Sequence, residues 1–155
     1  MARSNRQLTQ FAVDRLRYAM VYGPEKVERS VSGNTEIAPD ICCECHRPAH
    51  LVIRLFGKDI LRVIFSPVNP RVVSGLVVTT GDFYDSKGRP SRTTRERLNG
   101  LLDSLGTAGF IPEGVRVFFR EDGSCAIGKG DACKTFDAGA PAVLLLSHPT
   151  DLVFS

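Results

Sequence analysis

No apolar run in the chain approaches the ~20 residues a bilayer-spanning helix needs, so an integral helical membrane protein is excluded at the outset. The basic opening MARSNRQLTQF leads into no apolar stretch and lacks the form of a secretory signal. Internal repeats and low-complexity tracts are missing, and so is any acidic surplus. The net charge is +3, the wrong sign for a protein imitating DNA with a carboxylate surface. Lysine is scarce: Lys26, Lys58, Lys87, Lys129 and Lys134 are the only ones among 20 basic residues, leaving 15 arginines. Genomic base composition accounts for such a bias, and so does a need for the planar guanidinium fork that fits phosphate or carboxylate. Carboxylates paired for acid–base chemistry are also lacking. Asp82, Asp85, Glu121 and Asp122 fall at turn positions, where side-chain-to-backbone hydrogen bonds are the usual role.

What is present fits one globular domain. The chain has 155 residues, 43% of them apolar and 24% charged, enough to bury a core and too few for two comfortable domains. Its five cysteines are an odd number without a signal segment. They read as thiols or metal ligands in a reducing, cytoplasmic setting before they read as disulfides.

Leu8, Phe11, Ala12, Leu16 and Ala19 recur at helical spacing, so an amphipathic helix occupies the N-terminal segment 1–23 and Gly23-Pro24 stops it. Segment 24–50 is expected to be a loop with at most a short edge strand, and 51–155 a sheet carrying one helix at 93–105. That helix has capping-box spacing at Thr93 and Glu96, a leucine face at Leu98, Leu101, Leu102 and Leu105, and Gly106 at its end. LVIRLFGKDILRVIF predicts a hairpin. A three-residue loop Gly57-Lys58-Asp59 would pair Leu55 with Leu61 and Ile53 with Val63, making one face wholly apolar and setting Arg54 opposite Arg62 on the other. Val115 to Arg120 alternates as a half-buried strand, and Asp122-Gly123 turns into SCAIG. Two short strands close the chain. The expected fold is α+β: a mainly antiparallel sheet of about six strands with two helices on one face.

The stretch ICCECHRPAH, 41 to 50, concentrates the soft-ligand chemistry. Cys42 and Cys45 form C-x-x-C, half of a zinc knuckle, which His50 and a distant thiol, Cys133, would complete as a tetrahedral zinc site. The alternative is that these thiols are small buried hydrophobes. A zinc- or thiol-dependent enzyme would centre on Cys42, Cys45, His46 and His50. GSCAIGKG, 123 to 130, nearly matches a phosphate loop but has Gly130 where a hydroxyl is required and no helix after it, so it reads as a hairpin.

Arginines interleaved with aromatics supply the remaining candidate surface: Arg54 and Arg62 with Phe56, Arg116 and Arg120 with Phe118, and Arg92 and Arg95 on the second helix. The expectation is a non-enzymatic binding protein that docks on nucleic acid or on a nucleic-acid-binding protein through an arginine-bearing sheet face. Small accessory or inhibitor proteins of phage and mobile elements have this look. A self-assembling subunit with exposed edge strands is the other class.

Overall fold

The computed structural model describes residues 3–40, 50–66, 68–69, 72–81, 89–137, 139–145 and 153–154, the last two and residue 145 by backbone alone. In chain order these form α1 (Asn5–Tyr22), a 3-10 turn (Pro24–Lys26), β1 (Ser30–Ser32), β2 (Thr35–Asp40), β3 (His50–Leu55), β4 (Lys58–Phe65) and β5 (Val73–Val78). Then follow α2 (Arg92–Thr107), β6 (Arg116–Phe119), β7 (Cys125–Lys129), β8 (Ala132–Thr135), β9 (Ala142–Leu145) and β10 (Val153–Phe154). A seven-stranded antiparallel sheet runs β1-β2-β3-β4-β5-β9-β10, and β6-β7-β8 form a separate three-stranded sheet. The α+β architecture therefore holds, and among the described residues no helix is long and apolar enough to cross a membrane.

Strand alternation divides the large sheet into two faces. Leu51, Ile53 and Leu55 of β3, Leu61, Val63 and Phe65 of β4, and Leu76 and Val78 of β5 point to the helices and are almost fully buried. They join Ala12, Leu16 and Ala19 of α1, Leu98, Leu101 and Leu105 of α2, and Val117 and Ile127 of the small sheet in one apolar cluster. Burying a side chain of this size is worth ~1.5–3 kcal/mol, so this cluster dominates the stability.

Local signals set the helix ends. Ser4 and Gln7 form a reciprocal capping box on α1, and Gly23 ends it at φ 99°. α2 starts one residue earlier than its spacing predicts, because the cap is Ser91, whose side chain accepts from the Thr94 N–H, and not Thr93 with Glu96. Gly106 stays inside α2. The left-handed residue is Gly109 (φ 82°), and Phe110 N–H to Leu105 O with Gly109 N–H to Gly106 O closes a Schellman motif.

The described part of segment 24–50, residues 24–40, is not mainly loop, since β1 and β2 form a hairpin and β2 pairs along its length with β3. The β3–β4 register also departs from expectation. The turn is the two residues Phe56-Gly57, both left-handed at φ 52° and 82°. Leu51 therefore faces Val63, Ile53 faces Leu61 and Arg54 faces Asp59, with a bulge that absorbs Ile60. That bulge keeps the inner face apolar, the same requirement that a three-residue loop would meet. Phe56 lies in the turn itself. The glycine-rich stretch at 123 to 130 contains β7 and enters the turn by which β7 pairs with β8, so it belongs to a hairpin, as its sequence implies.

Candidate functional site

The outer face of the large sheet carries Arg54 and Arg62, and acids of the same face hold both. Arg54 donates to Glu36 Oε1 at 2.9 Å and to Asp59 Oδ1 at 2.8 Å. Arg62 donates to Asp40 Oδ2 at 2.6 Å and reaches Asp59 Oδ2 at 3.4 Å, while Arg29 sits on Glu36 from β1's side. The anion between the two strand arginines is thus the protein's own Asp59, and Arg62 lies opposite Val52, not Arg54. Hydrogen bonding from Arg54 holds the Glu36 carboxyl below its ordinary range, and Arg62 does the same for Asp40. His50 Nδ1 lies 3.1 Å from Arg62 Nη1 and must accept, since a guanidinium only donates. Partial burial, then the Arg62 charge, push the His50 pKa down. This network is internally neutralised, and the guanidiniums of Arg54 and Arg62 are both engaged within the fold.

Of the expected zinc ligands, Cys42 and Cys45 lie outside the described residues, as does His46. His50 is on β3 of the large sheet, whereas Cys133 is on β8 of the small one, facing Gly128. Cys125 is buried and Cys133 half-buried, each on its own strand of the small sheet. Among the described residues no group of three or more histidines, cysteines and acids is arranged to hold a metal ion.

The other predicted residues gather where α2 meets β6. Asn99 accepts from the Val117 N–H at 2.7 Å and donates back to Val117 O at 3.1 Å, pairing with the strand as a neighbouring strand would. That clamp fixes β6 along α2. One helical turn before Asn99 stands Arg95, and two residues after Val117 stands Phe119. The Arg95 guanidinium carbon sits 4.3 Å from the Phe119 ring centroid, and Arg89 covers the same ring at 4.5 Å. The ring remains 37% exposed, unusual for a phenylalanine on a sheet's inner-face register. Arg95 makes no ion pair among the described residues, and its Nε is buried without a hydrogen-bond partner. Arg120, next along, is exposed and likewise without an ion pair among the described residues. It lines a shallow hollow with Phe118, Phe119, Glu121, Asp131 and Cys133.

Two other predicted arginines are partly committed. Arg92 bonds Glu96 one turn on, at 2.8 Å, and Arg116 lies 3.6 Å from Asp103. Arg97, two residues beyond Arg95 on the same helix, is fully buried. It donates to Asn5 O, Thr9 Oγ1 and Asn34 Oδ1, joining α1 and the β1–β2 turn to α2. The Asn99 clamp and the Arg89 contact escape sequence reasoning, because neither residue type has a spacing signature for contacts this far apart in the chain. No protein-family model, no curated protein and no solved structure matches the chain.

Proposed function

We propose that the chain is a non-enzymatic binding protein whose contact patch is Phe119 with Arg95, Arg120 and Arg89, on the α2–β6 side and not on the outer sheet face. The observation that carries the reading is Arg95: a cation without a counter-acid among the described residues, its guanidinium carbon 4.3 Å from the centre of a partly exposed aromatic ring. Holding a guanidinium uncompensated costs solvation, and a partner's carboxylate arriving in its plane would recover it with bidentate geometry. Arginine and aromatic side chains in adjacent positions are the residues that most often dominate protein interfaces. Glu121 and Asp131 in the adjoining hollow would repel a phosphate backbone, so the partner that fits is a protein surface presenting carboxylates beside an apolar contact.

The test is affinity capture from the native host followed by mass spectrometry. A protein retained by the wild type and lost with Arg95→Ala/Phe119→Ala, both proteins being equally folded, is the expected result. Equal retention by the two would refute the patch.

A second reading, self-assembly, draws on the sheet edge. β1 is an edge strand with Val31 55% exposed, and Phe56 beside it is 56% exposed. Sizing across a range of concentrations checks it: growth of the apparent mass with concentration supports assembly, and a constant monomer excludes it.

A further inference from the structure

The chain's charge is not spread over its surface. Residues 3 to 22 hold Arg3, Arg6, Arg15 and Arg17 against the single acid Asp14, a surplus of three that equals the net charge of the whole chain, +3. All the remaining residues together carry as many acids as bases. None of these four arginines makes an ion pair among the described residues, and all four are exposed. This concentration is separate from the Phe119 patch and needs its own account.

α1 commits one side to the core through Leu8, Ala12, Leu16 and Ala19 and packs on α2 through Arg97 and Gly100. Its other side is covered by nothing among the described residues. At ~100° per residue, Gln7, Gln10, Asp14 and Tyr18 run along the middle of that free side. Arg6 and Arg17 fall on one flank, and Arg15 on the other. Arg3, Gln7, Gln10, Phe11, Asp14, Arg15 and Tyr18 line an open groove along it. Asp14 is engaged within the row, accepting from Gln10 Nε2 at 2.8 Å.

A membrane surface is a poor occupant, because the apolar stripe that would enter lipid is already buried in the core. A helix of 18 residues is about 27 Å long, and with side chains about 10–12 Å wide, the width of a B-DNA major groove. Cations along both flanks match the two phosphate strands that border that groove, and glutamine amides along the middle match base edges. We propose that α1 docks in the major groove of duplex DNA, with Arg6 and Arg17 on one phosphate strand, Arg15 on the other, and Gln7 and Gln10 toward the bases. Asp14 lies between the flanks, away from the phosphates, where a cytosine amino group can donate to it.

The test is fluorescence anisotropy of a labelled DNA duplex with the full chain over a salt series. Binding should weaken with salt, and Arg6→Ala/Arg15→Ala/Arg17→Ala should bind at least tenfold more weakly. Each phosphate that an arginine neutralises adds roughly 0.9 to the log–log salt slope, so the triple variant's slope should be shallower by about 2.7. These side chains are exposed, so the melting temperature should stay within a few degrees, and the triple variant should still capture the protein that depends on Phe119. That last readout separates failure here from failure of the Phe119 patch. Absence of duplex binding at low salt, or binding that the triple substitution leaves intact, overturns the proposal. Tighter binding to poly-glutamate, to single-stranded DNA or to anionic vesicles than to the duplex overturns it too.

Discussion

At Gly100 the two helices touch through a missing side chain. A Cβ there would collide with Thr9 Cγ2, and Thr9 cannot simply turn away because its hydroxyl accepts from Arg97. Gly100→Ala should therefore destabilise by about 1–3 kcal/mol as overpacking, despite alanine's better helix propensity. Adding Thr9→Ser removes the offending methyl and keeps the hydroxyl, so the double variant should return to wild-type stability or above in urea unfolding. Arg97 itself is buried without an ion pair among the described residues, and burial pushes its pKa down against the opposing pull of Glu96, so its charge costs the fold energy. Arg97→Met should be near neutral, within about 1 kcal/mol, whereas Arg97→Ala should cost about 2–4 kcal/mol through the void it leaves. Denaturation midpoints decide between these. Helical spacing sets Arg95 and Arg97 alike on the two flanks of the leucine face and does not say which of them is buried. The distinction depends on where α1 crosses α2, and that is a property of the packed pair.

Among the elements, the β3–β4 hairpin shows where sequence reading stops. Its existence, its apolar inner side and the neighbouring arginines are legible from alternation, as are both helices and the hairpin that the 123 to 130 stretch enters. The register is not, because a two-residue left-handed turn plus a bulge satisfies the same burial as a three-residue loop. The acids that hold the arginines come from β2 and from Asp59, in stretches where alternation gives no strand signal. The network predicts a pH profile. Glu36, Asp40 and His50 each have a folded pKa below the unfolded value, so for each the unfolded chain binds protons first as pH falls. Stability should hold above the ordinary histidine pKa of about 6.5 and drop as pH falls through the window below it. It should drop again below the ordinary carboxylate range. His50→Gln should abolish the upper step of the thermal midpoint against pH, and a step that persists would contradict its assignment. Asp59→Asn, which removes the shared anion from a half-exposed site, should cost about 1 kcal/mol or less, and less still at high salt.

For the whole molecule, the chain's 15 arginines stand out in the composition, and those placed here serve three different ends. Arg54, Arg62 and Arg97 hold strands and helices together. Arg95 and Arg120 flank an exposed ring, and those of residues 3 to 22 carry a surplus equal to the net charge. Composition reveals the bias but not this division, which follows from which acids the fold brings near each guanidinium. The central claim is that sheet arginines are structural and the ring patch is the contact. Its most direct measurement is the affinity of the captured partner for Arg54→Ala and for Phe119→Ala, each with its melting temperature. Arg54→Ala should melt lower and bind as the wild type does, while Phe119→Ala should melt nearly unchanged and bind at least tenfold more weakly. The opposite pattern, affinity lost with Arg54 and kept without Phe119, would contradict it.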